Sequence, residues 1–284
     1  MVVRFKIQYH TAWGEHLKVC GSIPELGSWD IPAAVSMAWE SDGNWQAEVN
    51  VPDEEVHTFS YKYAVVRDAS GEVIWEWGAA RQADSLASCD ITTFEDAWRP
   101  AQADENAWFS SAFTRVLMKR KTNGLGTPED ARTASVARSV FRFQLYAPRI
   151  SPGKKLCIIG SDPALGNWDE SKALVMDDSQ YPLFRVQAAL DQPDAVEYKY
   201  AIVNKAKNKI ETWESGENRH FHATPTSRLR RCYVRTDNGF RYPDPRWKGA
   251  GLAIPVFSLR SDSGMGIGEF ADMMPLTDWA VETG

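Results

Sequence analysis

The chain has 284 residues, 43% hydrophobic and 25% charged, with 38 acidic against 32 basic side chains and a formal net charge of -6. That length allows roughly two ordinary domains with cores of their own, and the acidic balance excludes the concentrated basic face of a nucleic-acid binder. No run approaches the ~20 apolar residues of a membrane span, and the compositional outlier is a set of 12 tryptophans.

MVVRFKIQYH enters strand alternation at once, with no charged-then-apolar leader, so a cytosolic location is expected. Residues 1–97 read as all-β. WQAEVNVP at 45–52 alternates and is closed by Pro52. In FSYKYAV, Phe59, Tyr61, Tyr63 and Val65 share one face, while Ser60, Lys62 and Ala64 share the other. That period of two predicts a half-buried strand with the aromatics inward and Lys62 outward. ESDGN at 40–44 and DASGE at 68–72 supply turns, and the spacing suggests a sandwich of roughly seven or eight strands.

Residues 98–138 form a connector. Phe109, Phe113, Val116 and Leu117 stand at i, i+4, i+7 and i+8, after Asp104 and Glu105 and before Lys119 and Arg120. This predicts a helix whose apolar stripe packs on a module. TNGLGTPEDARTASVAR, which follows, reads as a flexible tether.

Residues 139–242 repeat the first module. VCGSIPELGSWD returns as IIGSDPALGNWD, FSYKYAVV as VEYKYAIV, IWEWGAAR as TWESGENR and RFKIQY as RFQLYA, at offsets of 137–139 residues. A period this long marks tandem domains, unlike the ~20–50 residues of a solenoid unit. Residues 243–284 change character: the apolar run LAIPVF reads as a strand buried on both faces. EFADMMPLTDWAVETG then reads as a helix despite Pro275. One βα unit of a parallel fold is the natural interpretation. The intervening G-x-G-x-G lacks the dinucleotide fingerprint.

Cys20, Cys89, Cys157 and Cys232 lie far apart without metal-ligand spacing, and free, mostly buried thiols are expected. His220 and His222 read as strand residues, and no metal or cofactor is expected.

The repeated residues carry the chemistry. Each copy has a Trp after a Gly-polar turn (Trp29, Trp168), an outward Lys (Lys62, Lys199) and a Trp followed by Glu (Trp75–Glu76, Trp213–Glu214). Any one Trp is most simply a core residue, but recurrence of the whole set favours a ligand. A pyranose presents an apolar C–H face that stacks on indole and a hydroxyl rim that needs charged or amide partners.

GSIPELGSWD, YKY and WE…NR resemble the pattern of starch-binding domains, the family 20 carbohydrate-binding modules, over about three-quarters of the chain. The resemblance implies two immunoglobulin-like β-sandwiches in tandem that bind alpha-1,4-glucan. It implies a first site of Trp168, Lys199, Trp213, Glu214 and Asn218 in module two. In module one the matching residues are Trp29, Lys62, Trp75 and Glu76, with Ala80 where the Asn belongs. It implies a second site of Trp13, Trp39 and Trp45 in module one, for which module two offers only Pro152, Tyr181 and Phe184. The expectation is a division of labour, with module one relying on its second site and module two on its first.

GLAIPVFSLRSDSGMGIGEF followed by DWA resembles the start of the (β/α)₈ barrel in amylomaltase-type 4-alpha-glucanotransferases, glycoside hydrolase family 77, of the disproportionating enzyme 2 type. Such a barrel takes roughly 250 residues, so no catalytic residue is assigned here and the 249–284 segment is expected to pack loosely or to dock wrongly. The implied partners are starch, glycogen, heteroglycan or malto-oligosaccharide and a downstream barrel of the same polypeptide. A non-catalytic glucan-binding adaptor and a pair of generic β-sandwich interaction domains are the alternatives.

Overall fold

The computed structural model describes residues 1–52, 58–84, 89–120, 139–190, 195–204, 209–223, 229–244, 246, 252–262 and 264–283. The chain divides into two compact units, Met1–Pro243 and Asp244–Gly284. In the first unit each copy supplies nine described strands. The first copy runs β1 (Val2–Gln8), β2 (Glu15–Gly21), β3 (Val35–Ser36), β4 (Ala38–Trp39), β5 (Asn44–Asn50), β6 (Thr58–Arg67), β7 (Val73–Trp75), β8 (Arg81–Asp84) and β9 (Ile91–Ala97). The second runs β10 (Ser139–Tyr146), β11 (Lys154–Gly160), β12 (Leu174–Val175), β13 (Asp177–Gln180), β14 (Leu183–Ala188), β15 (Val196–Asn204), β16 (Lys209–Trp213), β17 (Arg219–Phe221) and β18 (Arg231–Asp237).

Each copy is a sandwich. Its own sheet is ordered β3-β2-β6-β7 with β8 on β6, or β12-β11-β15-β16 with β17 on β15. The opposing sheets merge into one eight-stranded sheet, β13-β14-β10-β18-β9-β1-β5-β4. The expected inward face is observed: Phe59, Tyr61, Tyr63 and Val65 are buried, and Phe5, Phe94 and Val3 meet them from the shared sheet. Ala64 is also fully buried, on the outward face, opposite Trp75.

The join lies between β9 and β18, which pair in parallel with Asp96 opposite Thr236. Directly opposed residues on parallel strands share a face, and Phe94 and Val234 are opposed. Both belong to the core of module one, whereas Tyr233 belongs to the core of module two. The two cores therefore lie on opposite faces of the common sheet, and β18 serves both. Arg235 reaches across the seam to Glu95.

The seam also corrects the expectation of free thiols. Cys89 and Cys232 form a disulfide between the modules, with Cα atoms 5.9 Å apart. Cys20 and Cys157 are free and buried. Burial pushes the Cys157 thiol up to about 12 and raises that of Cys20 as well.

The connector differs from the single amphipathic helix that its spacing predicts. Asp104–Phe109 is a 3₁₀ turn and Ala112–Leu117 a π-helical turn. Ser110 between them is extended, as suits a residue whose hydroxyl competes for backbone groups. Phe113 is buried, while Val116 and Leu117 face solvent. Phe109 sits edge-on between Trp77 of module one and Tyr146 of module two, at 5.4 and 6.1 Å. The predicted tether lies outside the described residues.

In the second unit the strand expected over Leu252–Phe257 is not formed. Val256–Ser258 is a 3₁₀ turn, and Leu252, Ile254 and Phe257 are exposed. A strand of a parallel sheet needs neighbours on both edges and cover on both faces. The expected helix is present as α1 (Met273–Thr283), with Pro275 in its first turn, where the missing N–H costs nothing. Asp272 is buried and accepts hydrogen bonds from the Glu269 amide at 2.8 Å and from the Ser261 hydroxyl.

Candidate functional site

The loop after β2 is built to expose one indole. Pro24–Leu26 forms a 3₁₀ turn anchored by the fully buried Leu26. Gly27, Ser28 and Trp29 then take φ of 82°, 49° and 67° in succession. The loop closes when the Trp29 amide donates to the Gly21 carbonyl at 2.9 Å. Module two repeats the device with Leu165 as anchor, φ of 85°, 50° and 63° at Gly166, Asn167 and Trp168, and a 2.9 Å bond from the Trp168 amide to the Gly160 carbonyl. Left-handed backbone costs a non-glycine residue about 1–2 kcal/mol. Two such residues in a row, twice in one chain, are backbone strain of the kind found at functional sites. The outcome is that Trp29 and Trp168 stand 41% and 38% exposed.

The second indole of each set lies on the outward face of the module's own sheet. Trp75 is opposite Ala64 and Trp213 opposite Ala201, and both indoles are half-buried. Trp213 packs on Cys157 and Ala201. Lys62 stands 5.9 Å from the centre of the Trp75 ring and donates to the Gly78 carbonyl at 2.8 Å. Lys199 donates to the Gly216 carbonyl at 2.6 Å. Each lysine thus ties the strand to the turn that follows the tryptophan. Burial pushes the Lys62 ammonium below its ordinary value.

Asn218 donates to Glu197 at 3.0 Å, which fixes its carboxamide against β15, the strand that carries Lys199. At the corresponding positions module one has Ala80 and Ser60, so both members of the pair are replaced together.

Glu76 and Glu214 require a correction. They are 1% and 2% exposed, so their carboxylates are turned into the fold and not toward the open face. Alternation explains this, because a residue next to an outward Trp points inward. Glu76 accepts from Arg81 at 2.7 and 3.0 Å and from Arg99 at 3.0 Å. Glu214 accepts from Arg219 and Arg241 in the same way. Burial alone would raise these carboxyls, but the guanidinium partners outweigh it and hold both below the ordinary range. Arg81 continues to Asp96, which accepts from the hydroxyls of Tyr61 at 2.8 Å and Tyr63 at 2.9 Å. Asp237 holds Tyr198 and Tyr200 at 2.7 and 2.9 Å. These networks, which the sequence reading missed, brace the turn beneath the Lys–Trp pair. Their signal lay in the repeated Arg that closes WEWGAAR and WESGENR.

The second set divides. Trp13 is fully exposed beside Gly14, which has φ of 80°, and Trp39 is exposed on β4. Trp45 corrects the expectation: it is only 8% exposed, packs in the module-one core and donates its indole N–H to the Tyr9 carbonyl at 3.1 Å. In module two Phe184 is likewise core. Among the described residues no cluster of His, Cys, Asp and Glu is arranged to hold a metal, and no helix is long and apolar enough to cross a membrane.

Comparison with known proteins places these features. The Starch binding domain model, CBM_20, matches residues 1–95 and 139–231, once over each copy. The chain is 30% identical over 293 aligned residues to the 4-alpha-glucanotransferase DPE2 of Oryza sativa subsp. japonica, an alignment covering 99% of the chain and 30% of the relative. It is 31% identical over 103 residues to Glucoamylase-1 of Arthroderma benhamiae, covering 34% of the chain and 16% of the relative. It is 34% identical over 110 residues to the Alpha-amylase of Streptomyces violaceus, covering 38% of the chain and 19% of the relative. The chain thus spans under a third of the length of each of these relatives. With one match on each of its two sandwiches, the chain belongs to the Starch binding domain family.

Proposed function

We propose that the chain binds alpha-1,4-glucan, as starch, glycogen, heteroglycan or malto-oligosaccharide, through Trp168, Lys199, Trp213 and Asn218 in module two and Trp29, Lys62 and Trp75 in module one. Trp13 and Trp39 form a further stacking surface on module one. The observation that carries this is the strained Gly–polar–Trp turn, present in both copies and ending each time in an exposed indole. Stacking supplies affinity for the C–H face, while the ammonium and carboxamide orient the hydroxyl rim. Glu76 and Glu214 support the turn and make no sugar contact.

On this reading the chain is the glucan-binding N-terminal part of a cytosolic 4-alpha-glucanotransferase, which transfers glucosyl units between maltose and glucans. Its second unit is the first βα portion of the catalytic barrel. Similarity along nearly the whole chain to the rice glucanotransferase, the final forty residues included, supports this over an adaptor. Glycosyl transfer with retention needs a carboxylate nucleophile and an acid/base carboxyl, and both are assigned to the rest of the barrel.

Titration calorimetry with maltoheptaose tests the binding. Trp168→Ala is expected to weaken module-two binding tenfold or more, and Trp29→Ala with Trp13→Ala to weaken the remainder. Unchanged binding in the chain carrying all three substitutions would overturn the assignment.

A further inference from the structure

Because the two cores lie on opposite faces of the shared sheet, the outer face of β10 and β14 extends beyond module one as a shelf. Over it hangs the turn of module one that runs from Gly78 into β8. Between them is a cleft of about 190 Å³, with Ala80 and Gln82 on one wall and Gln144, Tyr146, Gln180 and Arg185 on the other. Phe94 and Val234, which are opposed across the seam and both belong to the core of module one, line it below.

We propose that this cleft is a subsite for one further glucosyl unit of a glucan chain held by module one, a proposal that rests on the glucan-binding reading above. The chemistry fits a neutral polyol. Three carboxamides each offer a donor and an acceptor, matching the alternating demands of vicinal hydroxyls. The Tyr146 ring offers an apolar surface, and its position is fixed by Phe109 from the connector. The two cations of the lining are offset by carboxylates: the Arg81 guanidinium is engaged by Glu76 and Asp96, and Arg185 lies opposite Asp177 on the neighbouring strand. The volume lies below the roughly 300–1,000 Å³ of sites for drug-sized ligands, as a single pyranose requires.

Ala80 links the cleft to the module-one site. It follows Gly78, whose carbonyl holds Lys62, by two residues, and it lines the cleft itself. A larger side chain at position 80 would enter that space. The exchange of the Asn218–Glu197 pair for Ala80 and Ser60 therefore removes one rim carboxamide and leaves a small side chain at the border of a cleft lined by three others. Module one is specialised for longer chains by this exchange.

The test is a titration of the full chain with maltoheptaose, followed through the side-chain NH₂ signals of Gln82, Gln144 and Gln180 and the indole N–H of Trp29. All four are expected to shift. In the Trp168→Ala chain, maltoheptaose is expected to bind about tenfold more tightly than maltose, a gain of the size of one or two hydrogen bonds. Ala80→Leu, which fills the cleft, is expected to abolish that gain. Glutamine signals that stay still while the Trp29 indole shifts would overturn the subsite and leave the glucan reading standing. If neither set moves, the glucan reading of module one falls with it. The signals of the unaltered chain decide the matter even if Ala80→Leu does not fold.

Discussion

At the scale of single residues, two kinds of side chain behave in opposite ways. Trp29 and Trp168 are held out of the core at the cost of left-handed backbone, and that cost is measurable. Trp168→Gly and Trp168→Ala remove the same indole, yet glycine tolerates φ of 63° and alanine does not. The glycine variant is expected to be more stable than the alanine variant by about 1 kcal/mol, with glucan binding lost equally in both. Chemical denaturation in parallel with titration checks this, and equal stability would mean the turn is not strained. Glu214 is the converse, a residue of the repeated motif that works inside the fold. Glu214→Gln is expected to cost about 3 kcal/mol at neutral pH, since it leaves two arginines short of their charge. Its carboxyl is depressed in the folded state, so its contribution is full above the unfolded value of 4.5. That contribution is lost as pH falls below 4.5 and through the folded value. Melting curves of the parent and variant should thus converge in acid and diverge toward neutrality. The tryptophans and lysines were legible in the sequence because repetition and outward alternation single them out. The role of the glutamates was not, because their place beside a ligand-facing Trp suggested a shared task, whereas a strand sends neighbours to opposite faces.

At the scale of elements, what was legible depended on whether a strand has one wet face. FSYKYAV alternates because only its aromatic side meets a core, and β6 matches that reading closely. RCYVRTD does not alternate, since β18 covers module two with Tyr233 and module one with Val234. No local pattern announces a strand shared between two cores. The connector misled for a related reason: its apolar spacing is helical, but Phe109 is placed by Trp77 and Tyr146 of the two sandwiches and Phe113 packs on Trp108 of the connector itself, rather than both lying on one helix face. The tail shows the limit of local pattern most plainly. LAIPVF has the composition of an interior strand, and without neighbours it pairs with no described strand and turns into a 3₁₀ helix at Val256, leaving Leu252, Ile254 and Phe257 exposed. A chain ending at Pro243 is accordingly expected to melt at the same temperature and bind glucan with the same affinity as the full chain. It is also expected to self-associate less, because Phe257, Phe270 and Trp279 are removed from the surface. Sedimentation velocity and thermal melting of the two forms check this. A large fall in melting temperature would show that the second unit supports the first.

At the scale of the whole molecule, the seam joins two binding modules through one continuous sheet. Asp96 and Asp237 hold equivalent tyrosine pairs, yet Asp96 lies opposite Thr236, one residue from strict equivalence. Copies that pair in parallel with a slip of one residue, about 3.3 Å, keep corresponding sites at the same height along the strand direction. Trp29 and Trp168 therefore face the same end of the first unit, on opposite sides of the common sheet. A fixed separation of this kind favours an extended glucan surface over a short oligosaccharide, because the second contact is gained at high effective concentration. The Cys89–Cys232 disulfide, spanning 143 residues of sequence, holds this arrangement, and restricting so long a loop in the unfolded chain is worth about 2–5 kcal/mol. Reduction, or Cys89→Ser, is thus expected to lower the stability of the first unit by that amount while keeping a single unfolding transition, since Val234 still completes the core of module one. Maltose affinity should be unaffected, because none of the tryptophans, lysines or Asn218 of the two sugar sites lies on β9 or β18, whereas affinity for insoluble starch should fall as the modules gain freedom. Two separate transitions in the reduced protein would show that the disulfide, and not the shared strand, unites the modules.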